Sequence, residues 1–153
     1  MVVVYRDGCV RVWLVDTGGG MSEHDEQVAL FALAELHQER IPELKWMYAI
    51  PNGGHRHKAV AGKLKAEGVK SGVPDICLPI SSEIVTNEDD EIPGFETYSA
   101  LYIEMKIGRN KPTEKQQEWI DGLRSMSNRA EVCYSCDEAW AVIMDYLGIT
   151  EAT

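Results

Sequence analysis

The 153 residues suffice for one ordinary domain with a sizeable core, and 44% apolar with 26% charged residues is the usual mix of a soluble globular protein. No apolar run reaches the length of a membrane span, and Met1-Val-Val-Val-Tyr5 lacks the charged start and cleavage site of a signal peptide, so the expected location is the cytoplasm. The net charge of −10 argues against nucleic acid until its distribution is read: residues 52–70 carry +4 and residues 106–115 carry +3, leaving −17 on the remainder.

Residues 2–15 predict a hairpin, with β-branched arms around a turn at Arg6-Asp7-Gly8. An isolated hairpin is marginal, so it is expected to add to the main sheet or to a second subunit. After a glycine-rich joint at 17–20, Ser22 and Asp25 have capping-box spacing and open a helix. Glu26, Leu30, Leu33 and His37 recur along it at helical spacing. Two readings stand for Glu26: an acid on an apolar stripe that pairs with a cation, or a first-turn glutamate that answers the helix dipole. Lys45–Ile50 predicts a short strand, and Pro51-Asn52-Gly53-Gly54 a sharp turn. A basic helix is expected from His57 to Glu67, stopped by Gly68; Arg56 and its flanking histidines surround a helix start that favours phosphate.

Asp75–Ile80 predicts a strand with Ile76, Leu78 and Ile80 on one face and Asp75 on the other. Residues 81–97, with Glu88-Asp-Asp-Glu91, read as a solvated polar connection. The next strand places Leu101, Ile103, Met105 and Ile107 on one side and Glu104 and Lys106 on the other. Thr113 and Gln116 again have capping-box spacing, and Trp119, Ile120, Leu123 and Met126 form the expected inward stripe. Gln116 is either a cap only or a residue that also faces the site. Ala130–Tyr134 predicts a strand; Ser135, capped with Glu138, opens a last helix that Gly148 ends. Cys133-x-x-Cys136 has half the ligands of a zinc site, but Cys9 and Cys77 stand alone, which favours a structural role and a reducing compartment. The order of elements implies a mixed central sheet flanked by helices.

If the strands of Asp75 and Glu104 pair, Asp75, Glu104 and Lys106 converge. Oxygen ligands of this kind suit Mg²⁺ or Mn²⁺, which bind through one or two carboxylates and complete their shell on water and phosphate. Pro74-Asp75, a long gap, then Glu104-x-Lys106 is the signature of the PD-(D/E)xK nucleases. Several further pieces accompany it: Glu26 on a first helix, Pro51-Asn-Gly-Gly54, Gly68-x-x-x-Gly72-Val-Pro-Asp75, and Gln116 with Trp119. Together they resemble the VRR-NUC domain, the virus-type replication-repair branch of that superfamily, and particularly its small stand-alone members in phages. The resemblance spans residues 22–147, with 1–153 expected as a single domain.

That resemblance implies an α/β fold with a restriction-endonuclease-like core, to which the N-terminal hairpin is an addition. It implies metal-dependent cleavage of DNA, often at branches. By position, Asp75, Glu104 and the Met105 backbone carbonyl would hold the metal, Lys106 would act on the attacking water, and Glu26 and Gln116 would match the family's helix glutamate and glutamine. Asn52, Arg56, Lys58, Lys63, Lys65, Arg109 and Lys111 are the expected phosphate contacts, which position DNA without reading its sequence. The leading expectation is a homodimeric endonuclease acting on four-way (Holliday) junctions. Its rivals are a flap nuclease or nonspecific nickase of the same chemistry, and a noncatalytic DNA-binding module with a nuclease-like fold.

Overall fold

The computed structural model of the protein describes residues 2–6, 9–13, 21–51, 58–86 and 94–149, with side chains described for 21–51, 62–85 and 94–149. Strands β1 (Val2–Arg6) and β2 (Cys9–Trp13) pair antiparallel as a sheet of their own, so the expected addition to the main sheet is not made. Helix α1 (Glu23–His37) starts where the sequence places it, because the Ser22 hydroxyl accepts from the Asp25 N–H while the Asp25 carboxylate accepts from the Ser22 N–H. Its Ala29, Leu30, Leu33 and Ala34 are buried.

The expected strand at 45–50 is mostly something else. Pro42–Trp46 winds as a 3-10 turn, for which Pro42 supplies the preset backbone angle, and only Tyr48–Ala49 pairs as strand β3. Helix α2 spans Lys58–Ala66, and Gly68 beyond it has a φ of 96°. Strand β4 is Ile76–Leu78, shorter than expected because Pro79 follows. The stretch read as a polar connection is a second ladder: β5 (Ser82–Thr86) pairs antiparallel with β6 (Gly94–Tyr98), and the acidic run 87–93 lies outside the described residues. This pair is anchored to the last helix by the Ser82 hydroxyl, which donates to the Tyr146 carbonyl, while the Tyr146 hydroxyl donates to the Ile80 carbonyl.

Strand β7 (Leu101–Met105), helix α3 (Glu114–Ser125) and strand β8 (Arg129–Cys133) form a β-α-β unit whose strands run parallel, and helix α4 (Cys136–Tyr146) follows. The central sheet has the order β3-β4-β7-β8, antiparallel except for its last pair. One face is the main core, where Met47, Ile76, Leu78, Leu101, Ile103 and Met105 pack with Leu30 of α1 and Ile143 and Tyr146 of α4. The other carries a smaller core of Ile120, Leu123 and Ala130, with Tyr102, Trp119 and Val132 against it. Met126, expected in the α3 stripe, is instead the exposed C-cap. No helix among the described residues is long and apolar enough to cross a membrane.

Candidate active site

Register brings the acids together. Ile76 faces Ile103 across an antiparallel pair, so one residue outward Asp75 faces Glu104, and β8 continues the row with Val132 opposite Glu104. The row lies on the α3 face of the sheet, since Ile76, Ile103 and Met105 point into the other core. Asp75 is clamped from behind: the Met105 N–H donates to its Oδ2 at 2.9 Å, and its own carbonyl accepts from the Ile50 N–H at 2.7 Å. Gly72, at φ 91°, lets the loop before it press on α3; a Cβ there would sit 2.8 Å from the Lys115 carbonyl carbon and oxygen.

Glu104 is fully buried and Lys106 nearly so. The Lys106 ammonium donates to Glu104 Oε1 at 2.6 Å and to the Met105 carbonyl at 2.9 Å. The Gln116 amide also donates to Glu104 Oε1. Gln116 is held from its other end, because its Oε1 accepts from the Thr113 N–H at 2.9 Å in a completed capping box. Gln116 is therefore more than a cap: it closes the box on Thr113 and also reaches Glu104 from the first turn.

Burial pushes the Glu104 carboxyl up to about 7, with the negative charge of Asp75 adding to the rise and Lys106 opposing it. Burial likewise raises Asp75 against the opposing Met105 N–H and Lys106. Glu104 Oε2 is buried with no hydrogen-bond partner among the described residues. Two crowded carboxyls, a backbone carbonyl and an orphaned buried oxygen fit a hard divalent cation, whose charge would reverse each of these penalties. No three His, Cys, Asp or Glu side chains form a metal-binding group among the described residues, so water and phosphate would complete the shell.

Glu26 is engaged by another helix. Its Oε2 accepts from the Cys136 N–H at 2.6 Å, so it caps the start of α4 rather than its own helix. The first-turn acid beside the site is Glu23, whose Oε2 is 3.8 Å from the Lys106 ammonium and whose charge raises both Asp75 and Glu104. Its signal in the sequence is its place one turn before Glu26 and seven residues before Leu30, on the same stripe. Cys133 is buried at the end of β8, Cys136 lies in the first turn of α4, and burial pushes both thiols up to about 12, which suits core residues rather than zinc ligands. Ser135 caps α4 as expected, but Glu138 takes the Tyr134 N–H instead of closing the box on Ser135.

Of the expected phosphate contacts, Asn52 and Arg56 lie outside the described residues, as does the Lys58 side chain. Lys63 and Lys65 are exposed on α2, Lys63 loosely paired with Glu67 at 3.8 Å. Arg109 is exposed in the loop that leaves β7. Lys111 lines a hollow on α3 shared with Glu114, Glu118 and Asp121, whose charges oppose a phosphate there.

A mixed sheet that presents Pro-Asp on one strand and Glu-x-Lys on the next, facing one another in register, defines the PD-(D/E)xK nuclease fold class. The VRR-NUC domain profile matches residues 22–137, and the chain belongs to that family. A solved structure described as a VRR_NUC domain protein shares the fold at a TM-score of 0.65, with 24% identity, covering 86% of this chain and 92% of its own. No curated protein matches the chain. The family is one of nucleases, which implies DNA as the substrate.

Proposed function

We propose that the protein is a divalent-metal-dependent endonuclease that hydrolyses phosphodiester bonds in branched DNA, with four-way junctions as its preferred substrate. The observation that carries the metal-dependent part is the orphaned Glu104 Oε2 beside Asp75, Lys106 and the Met105 carbonyl. Asp75, Glu104 and the Met105 carbonyl are the residues that would hold Mg²⁺ or Mn²⁺. When bound, such a cation supplies Lewis-acid polarisation of the phosphate and a more acidic water.

The remaining work falls to the chain. Lys106 orients the attacking water and shares the charge that develops on the phosphate oxygens. Attack runs in line on phosphorus and leaves a 3′ hydroxyl and a 5′ phosphate. Gln116 holds Glu104 in place through a bond that the α3 cap prevents from swinging. Glu23 balances the Lys106 charge, and Glu26 seats α4. Lys63, Lys65 and Arg109 are the described side chains offered to backbone phosphates, a mode that recognises shape and falls off steeply with salt. Paired incisions across a junction need two sites, and one chain carries one, so the reading includes a symmetric homodimer.

Junction, flap, nicked and linear duplexes should be incubated with the protein in Mg²⁺ or Mn²⁺, beside Asp75→Ala and Glu104→Ala. The expected result is cleavage of the junction first and no cleavage by either variant. Equal cleavage of all four substrates removes the branch selectivity, and absence of cleavage with every cation leaves a binding module.

A further inference from the structure

The strand next to the catalytic row carries a feature the hydrolytic chemistry does not use. Tyr48 pairs across the sheet with Cys77, and Cys77 with Tyr102, so these three form a second row on the same face as Asp75 and Glu104. Tyr102 is half-buried against the α3 core, whereas Tyr48 is 48% exposed at the edge strand. Tyr48 lies directly across the ladder from the buried Cys77. Trp46 is 58% exposed two residues earlier, at the end of the 3-10 turn, with the Lys45 ammonium 5.6 Å from the centre of its ring. Met47 between them is buried in the main core, while both rings are exposed.

Tyr48 and Trp46 lie two residues apart, so their exposed rings form a local apolar surface next to the catalytic row. Tyr48 is the diagonal neighbour of Asp75, about 7 Å away between Cα atoms. We propose that Tyr48 and Trp46 form a stacking platform for bases left unpaired at the branch point, on the strand whose phosphate lies at Asp75 and Glu104. The proposal rests on the nuclease reading above and deepens it. A base within a duplex has both faces already stacked, so an aromatic ring gains little from it; an unpaired base offers a free face, and stacking accepts any sequence. Lys45 beside Trp46 adds a charge for the adjoining phosphate. Position selects a nucleobase over an apolar protein segment as the occupant: Tyr48 continues the face of the sheet that carries the catalytic acids, and Trp46 is two residues away.

Binding is measured by fluorescence anisotropy in Ca²⁺ with two labelled DNAs of equal length, a forked duplex with unpaired arms and a fully paired duplex. Tyr48→Ala and Trp46→Ala should each weaken fork binding by roughly five- to a hundred-fold and leave duplex binding within about twofold. Tyr48→Phe, which keeps the ring, should bind the fork like the wild type. Trp46→Ala removes a mostly exposed side chain, so it still tests the platform if Tyr48→Ala fails to fold. Equal losses on both DNAs, or none on the fork, overturn the platform while leaving the nuclease reading intact; the second result would return the patch to a protein partner. Failure of the wild type to bind either DNA would overturn the nuclease reading and the platform with it.

Discussion

Replacing Glu26 separates a structural acid from a metal ligand. In the structure its carboxylate takes the Cys136 N–H at 2.6 Å, one of the four N–H groups that α4 cannot satisfy internally. Ser135 and Glu138 already serve the Glu138 and Tyr134 N–H groups, so neither can stand in. A hydrogen bond to a charged group contributes about 1.5–3 kcal/mol, and a partly buried N–H left without it bears its own desolvation penalty. Glu26→Ala should therefore lower stability by about 2–3 kcal/mol, which for a chain of this size is a fall of roughly 4–12 °C in Tm. Glu26→Gln keeps an acceptor and loses the charge, and should fall by about 1 kcal/mol. Urea titrations followed by circular dichroism give the stabilities, and calorimetric titration with Mn²⁺ gives the affinity on the same samples. Stability should drop while Mn²⁺ affinity at 10 °C stays within about threefold. The opposite pattern, unchanged stability with Mn²⁺ binding lost, would falsify the capping role and restore Glu26 to the metal.

The metal-free protein should lose stability as pH rises. The folded Glu104 carboxyl titrates at about 7 against an ordinary value of 4.5, so its contribution is complete below 4.5 and is lost as pH rises through 7. The slope is about −1.4 kcal/mol per pH unit and the whole loss roughly 3 kcal/mol. Asp75, also raised, titrates with it as a pair. Denaturation in chelator at pH 5 to 8 should show this fall in the wild type and a flatter curve in Glu104→Gln; parallel curves would remove Glu104 as its source. Mn²⁺ at pH 8 should recover about 2.7 kcal/mol at a hundred times its Kd. Gly72→Ala should destabilise by about 1–3 kcal/mol and lower cleavage, since a methyl group meets the Lys115 backbone at a φ of 91° and moves the loop that sets Asp75. Gln116→Ala should slow cleavage about tenfold or more and weaken Mn²⁺ binding, whereas Gln117→Ala on the exposed side of the same turn should leave both unchanged.

What the sequence determined by itself is whatever depends on residues close along the chain or on strict alternation. Ser22 with Asp25 and Thr113 with Gln116 announce helix starts because a capping box closes within four residues. Leu101 to Lys106 separates apolar from charged side chains by parity alone, which is why pairing with the Asp75 strand was enough to gather Asp75, Glu104 and Lys106. The β5–β6 ladder was missed because Glu83, Val85, Phe95, Glu96 and Thr97 are exposed, which leaves little contrast between faces and lets the acidic residues dominate the pattern. The 3-10 turn at Pro42–Trp46 was hidden for a similar reason, since its residues also suit a strand.

Only tertiary structure decided which first-turn glutamate meets Lys106. Glu23 and Glu26 are one helical turn apart, and local rules rank them alike. The rotation and height of α1 against α4 and the sheet send Glu23 toward the ammonium and Glu26 to the Cys136 N–H. The same packing brings Gln116 to Glu104 and leaves Glu104 Oε2 with no donor among the described residues. These are contacts between residues 12 to 110 positions apart, set by how whole elements seat on one another, and no periodicity along the chain encodes that seating.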